Sequence, residues 1–142
     1  METKRSKTYF VADIHLGASY IADPSAHERR FVSFLESIAG DAARVYLLGD
    51  ILDYHFEYKN AIPARCLRTI GLLGRLADRG IDIVWIAGNH DTWFRGTLAR
   101  ELGITTPTAT LRCGSWTISM EGSATITIKA LDCSPLFMSK PT

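Results

Sequence analysis

The sequence predicts an α/β fold in which parallel β-strands alternate with crossover helices. Three short apolar runs rich in β-formers, at residues 8–12, 44–48 and 81–87, read as buried strands. Segments with helical spacing of apolar residues separate them, and strand–helix–strand–helix–strand is the order of a parallel sheet. Each run also ends in polar residues: Asp13, Gly49-Asp50 and Gly88-Asn89-His90-Asp91. Ligand sites in such sheets collect beyond the carboxyl ends of the strands, so these three loops are expected on one edge.

The first strand, Thr8 to Ala12, stops at Asp13, and a loop runs through Gly17. Asp23-Pro24-Ser25 opens the first helix, with Ser25 and Glu28 matching the S-x-x-E capping box. Phe31, Phe34, Leu35 and Ile38 recur at helical spacing, and Gly40 suits the C-terminal stop. After the strand Arg44 to Leu48, the second helix is expected from Pro63 to about Gly80, burying Leu67, Ile70, Leu73 and Ala77. The third strand is Ile81 to Ala87, and a short helix follows at Thr97 to Leu102. Beyond residue 104 the character changes. Thirteen of the last 39 residues are Ser or Thr and five are charged, which sets a boundary between residues 1–104 and a divergent tail, 105–142. Within that tail 115–120 and 125–129 alternate as strands, with a turn at Glu121-Gly122-Ser123.

Composition narrows the function. The chain has 142 residues, 46% hydrophobic content and 22% charge, enough for one domain with a real core. A formal net charge of +1 gives no reason to expect nucleic acid as a partner. The cluster Lys4, Arg5 and Lys7 reads as a solvated lead-in to the first strand, with membrane-surface attraction as the sharper alternative. No apolar run approaches the roughly 20 residues that span a bilayer, and no signal-peptide pattern precedes Tyr9. Cys66, Cys113 and Cys133 lack metal-type spacing and suit a reducing compartment. The expected location is the cytoplasm.

The three loops carry the chemistry. In Asp13-x-His15 a carboxylate and an imidazole lie two residues apart, on one side of an extended chain. A hard oxygen donor beside a nitrogen donor suits Mn²⁺, Fe or Zn²⁺ better than Ca²⁺. Asp50 adds a carboxylate able to bridge two ions, and Asn89 adds a neutral amide oxygen. Two ions about 3.5–4 Å apart can clamp phosphoryl oxygens during in-line attack. His90 lies beside these donors as a general acid or a stabiliser of phosphate charge, and Asp91 is expected to orient its ring. Taken singly, Asp-x-His arises by chance, and Gly-Asp and Gly-Asn-His-Asp are ordinary turns. All three, in this order and each closing an apolar strand, point to a metal site.

These blocks resemble the calcineurin-like metallophosphoesterase superfamily, whose pattern is D-x-H, then G-D-x-x-D/H, then G-N-H-D/E. Over residues 46–59 (YLLGDILDYHFEYK) and 88–93 (GNHDTW) the chain is most similar to one branch, the UDP-2,3-diacylglucosamine pyrophosphatases (hydrolases) of lipid A synthesis. The resemblance covers about residues 8–104. It implies the N-terminal part of the metallophosphoesterase α/β sandwich, with the second sheet incomplete. It further implies two divalent ions, expected to be Mn²⁺, with Asp13 and His15 on the first, Asp50 bridging and Asn89 on the second. His90 would face the phosphate, and Asp53 would stand behind the ligands and orient them by hydrogen bonds. Trp93 and Arg95 are expected near the substrate, against the plainer readings of a core aromatic and a surface arginine.

The implied reaction releases UMP and 2,3-diacylglucosamine 1-phosphate from UDP-2,3-diacylglucosamine, at the cytoplasmic face of an inner membrane to which the chain would be peripheral. The family's later histidine blocks have no counterpart here, because the four histidines are His15, His27, His55 and His90. The sequence therefore leads us to expect a truncation or frame-shift near Leu111 and weak metal binding. Activity would then be impaired, and the alternatives are a non-catalytic fragment or a different calcineurin-like phosphodiesterase. His27 reads as a solvated position on the first helix, His55, Phe56 and Tyr58 as loop packing, and Trp85 as core.

Overall fold

The computed structural model describes residues 4–53, 57, 58, 60–91 and 96–106. The second sheet, the hairpin at 115–129 and most of the divergent tail lie outside these residues. Three strands, β1 (Lys7–Val11), β2 (Ala42–Leu48) and β3 (Asp82–Ile86), alternate with α1 (Pro24–Ile38) and α2 (Leu67–Asp78), and α3 spans Thr97–Leu102. The sheet order is β1-β2-β3 and both pairings are parallel, with Val45 opposite Tyr9 and Ile83. The two crossover helices α1 and α2 touch each other, so they share one face of the sheet.

The pleat explains the core. Tyr9, Val11, Val45, Leu47, Ile83 and Trp85 point beneath the helices and are buried. Phe10 and Tyr46 stand on the opposite face, half-buried, with rings stacked at 5.1 Å. From α1, Phe31, Phe34, Leu35 and Ile38 enter the core as their spacing predicts. The sheet extends past the third strand, because Thr105 N donates to Ile83 O and Trp85 N donates to Thr105 O.

Three local readings change. The first helix is capped by Asp23, whose side chain accepts from Ala26 N at 2.9 Å, with Pro24 in the first turn. Glu28 is therefore not a capping-box partner of Ser25. It is buried and accepts from Thr69 N of α2 at 3.0 Å, tying the helices together. The second helix is preceded by a 3₁₀ turn, Ala64–Cys66, so its inner face is Ile70, Leu72, Leu73 and Leu76, while Leu67 is 51% exposed. His27 is buried rather than solvated, at 3% exposure, with Nε2 2.7 Å from Ile14 O. An imidazole N–H donating to that carbonyl satisfies both groups. Cys66 is buried too, and burial pushes its thiol up to about 12, in keeping with use as a small apolar residue.

Candidate metal centre

The three polar loops meet at the carboxyl edge of the sheet. Beyond β1 and β2 the ladder continues: Asp13 N donates to Gly49 O, His15 N to Asp50 O and Leu16 N to Ile51 O, and Asp53 N returns to Leu16 O. These bonds hold Asp13, His15 and Asp50 in left-handed backbone conformations, with φ of 56°, 51° and 52°. Among the described residues no other non-glycine residue has positive φ. Such conformations cost of order 1–3 kcal/mol each and survive where the surroundings over-determine them, as at functional sites.

The second and third loops cross in close contact. A methyl group on Gly49 would lie 2.7 Å from Gly88 Cα, and one on Gly88 would lie 2.2 Å from Asp50 Oδ1. Only glycine fits either side of this crossing, which explains the Gly in each motif. His90 N then donates to Asp50 Oδ1 at 2.8 Å, fixing the carboxylate.

Asp91 locks the crossing from below. It is fully buried, and its carboxylate accepts from Gly88 N (2.6 Å), Ile51 N (2.9 Å), Asp50 N (3.0 Å), Trp85 Nε1 (3.2 Å) and Leu52 N (3.5 Å). The sequence had assigned Asp91 to the His90 ring. In the structure both oxygens gather N–H donors from the two loops and from Trp85, and it is Asp53 that accepts from the ring. Asp53 Oδ1 lies 2.7 Å from His90 Nδ1 and 3.1 Å from His15 Nδ1. The two rings stand edge to face, with centroids 4.8 Å apart.

This pairing decides what His15 can do. With Nδ1–H donated to Asp53, Nε2 keeps its lone pair, and it lies 3.8 Å from Asp13 Oδ1 and 4.0 Å from Asp50 Oδ2. Asp13, His15 and Asp50 present donor atoms within 4.8 Å of one another, as do His15, Asp53 and His90. Burial and the neighbouring charge of Asp50 hold the Asp13 carboxyl above its usual range, His15 opposing them. Among the described residues no lysine or arginine pairs with Asp13, Asp50, Asp53 or Asp91. A crowded set of carboxylates and imidazole without a side-chain cation fits a divalent ion. Asn89 is the exposed member of its turn. Trp93 and Arg95, like His55 and Phe56, lie outside the described residues.

Sequence reasoning missed His27, which steadies the carbonyl between Asp13 and His15. Helical periodicity marks its face only weakly, and no motif includes it.

Comparison with known proteins gives the family of the chain. A relative from Porphyromonas gingivalis, UDP-2,3-diacylglucosamine hydrolase, is 44% identical over 99 residues, covering 70% of this chain and 38% of the relative. Proteins of the same name from Nitrosococcus oceani and Edwardsiella ictaluri are 34% and 32% identical, the matches covering 32% and 36% of their lengths. The chain thus spans well under half the length of these relatives. A solved structure described as Pseudomonas putida nuclease MPE superposes with a TM-score of 0.44 at 19% identity, covering 89% of this chain and 50% of that one. The profile described as calcineurin-like phosphoesterase matches residues 6–131, running past the compositional boundary at 104. With the match covering most of its length, this chain belongs to the calcineurin-like phosphoesterase family.

Proposed function

We propose that this chain carries part of the active site of a metal-dependent hydrolase that cleaves the pyrophosphate bond of UDP-2,3-diacylglucosamine. The products are UMP and 2,3-diacylglucosamine 1-phosphate, an intermediate class of lipid A synthesis. The observation that carries the reading is the single carboxylate oxygen of Asp53 bonded to both His15 and His90. It sets one ring as a ligand beside Asp13 and Asp50, and holds the other next to it for the phosphate.

Asp13 and His15 would hold one ion, Asp50 would bridge, and Asn89 would serve the second, with Mn²⁺ as the expected metal. Two divalent ions supply the positive charge that neutralises phosphoryl oxygens and readies a water for in-line attack. His90, its Nδ1–H held by Asp53, offers Nε2 to hold a proton at the leaving oxygen. Asp91 keeps the loops in register. Trp93 and Arg95 follow the third motif directly and would meet the substrate.

His90 is the last histidine of the sequence. Two carboxylates, one imidazole and one amide fall short of two complete coordination shells, so turnover with these ligands alone would be low. No helix among the described residues is long and apolar enough to cross a membrane. The lipid substrate would bring the protein to the cytoplasmic surface of the inner membrane from solution.

The test is UMP release from UDP-2,3-diacylglucosamine in the presence of Mn²⁺, with bis-p-nitrophenyl phosphate as a generic diester. Slow release that needs the metal and disappears in Asp50→Ala supports the assignment. Release that persists without divalent metal, or at the same rate in Asp50→Ala, contradicts it. Preference for the generic diester over the lipid nucleotide would favour a different phosphodiesterase of the family.

A further inference from the structure

Both long helices run antiparallel to the strands, so α1 and α2 begin at the edge of the sheet that carries the metal centre. Between their first turns lies a cavity of about 560 Å³, lined by Ser25, Glu28, Arg29, Arg65, Leu67 and Arg68 among others. The three arginines come from α1, the 3₁₀ turn and α2, and all are exposed. Among the described residues none of them pairs with a carboxylate. The acidic member of the wall, Glu28, is buried and spends Oε1 on Thr69 N.

Three guanidinium groups facing one carboxylate leave the cavity with a surplus of two positive charges. Like charges gathered on one rim repel, and a bound anion reverses that repulsion. Guanidinium forks match the tetrahedral oxygens of phosphate in two-point hydrogen bonds, a fit that a lysine cannot reproduce. The starts of both helices lie on the same side, but carboxylates already cap them, Asp23 on α1 and Glu28 on α2, so the arginines carry the surplus. The volume exceeds what one phosphate needs and falls in the range of small-molecule sites. Arg65 packs beside the loop after the first motif: a methyl group on Gly17 would lie 3.7 Å from Arg65 Cβ.

We propose that this arginine-lined cavity is a binding site for a phosphorylated anion, separate from the metal centre and independent of the hydrolase reading. The chemistry is that of one or two phosphoryl groups, which a soluble compound or a lipid headgroup can present.

Calorimetry on the whole chain in metal-free buffer, with inorganic pyrophosphate as probe, tests the site without engaging the metal ligands. Cosedimentation with phosphatidylcholine vesicles containing or lacking phosphatidic acid supplies the lipid arm. The variants are Arg65→Gln/Arg68→Gln and, as a control of the same charge type outside the cavity, Arg75→Gln. Because these positions are exposed, unchanged circular dichroism is expected in each. The proposal predicts that the double variant weakens binding about tenfold or more, that Arg75→Gln stays within about twofold, and that added salt weakens binding. Pyrophosphate binding alone identifies a soluble ligand, and phosphatidate-dependent sedimentation identifies a headgroup; either supports the site. Absence of both, or equal binding by all three proteins, overturns it.

Discussion

Replacing Asp91 by Asn separates a structural role from a catalytic one. The carboxylate is fully buried, and its two oxygens serve different donors: Oδ1 takes Asp50 N and Gly88 N, and Oδ2 takes Ile51 N, Trp85 Nε1 and, more distantly, Leu52 N. Asparagine keeps the shape and one acceptor. Its NH₂ group must face the donors of the other set, leaving at least two buried N–H groups without an acceptor. At about 1–3 kcal/mol for each of two unsatisfied donors, the expected loss is roughly 2–6 kcal/mol, a large share of a small domain's stability. In urea that moves the unfolding midpoint by about 1–3 M. Circular dichroism gives the global transition, and tryptophan fluorescence reports on the three indoles, among them Trp85, whose N–H loses its partner. An unfolding free energy within about 0.5 kcal/mol of wild type would contradict this role, and would return Asp91 to one played only on the His90 ring.

Further outcomes follow from the same geometry. Gly88→Ala places a methyl carbon 2.2 Å from Asp50 Oδ1, so it should abolish Mn²⁺ binding and lower the urea midpoint, whereas Gly40→Ala, with open space around it, should do neither. His27→Leu leaves the buried Ile14 carbonyl without its donor and should cost about 1–3 kcal/mol together with weaker Mn²⁺ binding; His27→Gln, which can still donate, should recover part of both in calorimetry. For the metal-free chain, Asp13 gives a pH signature. Its folded carboxyl sits above the unfolded value of 3.8, so the folded state holds the proton more tightly. Stability should therefore fall as pH rises from about 3.8 through the raised folded value, and Asp13→Asn should flatten that fall and leave the metal-free protein more stable at pH 7. Thermal melts across pH 3–8 check the sign, and an unchanged profile in Asp13→Asn would contradict it.

The strands and the sheet edge where the polar loops meet were legible because two signals coincide at each of them. An apolar run ends, and a glycine or a ligand-type residue begins; in a parallel sheet all such ends point the same way. Even α3 emerged with its observed bounds. What stayed hidden was which polar group answers which. Glu28 bonds an amide 41 residues away and Asp91 bonds amides 40 and 41 residues away, and no local spacing carries that information. Proximity in sequence favoured Asp91 for His90, whereas the fold brought Asp53 to it from the second loop. The exposed Leu67 has a different origin. A 3₁₀ turn at Ala64–Cys66 advances about 120° per residue, so a helix read as continuous from Pro63 points its first leucine the wrong way.

In the proposed site Asp13, His15 and Asp50 share one divalent ion, with Asp53 setting the tautomer of His15. Titration of the chain with Mn²⁺, followed by loss of the free-ion EPR signal, tests it most directly. Binding that Asp50→Ala abolishes and that Asp53→Ala weakens by about 10–100-fold is expected. A wild-type chain that leaves the Mn²⁺ signal free, or Asp50→Ala and Asp53→Ala chains that bind as wild type does, would contradict it.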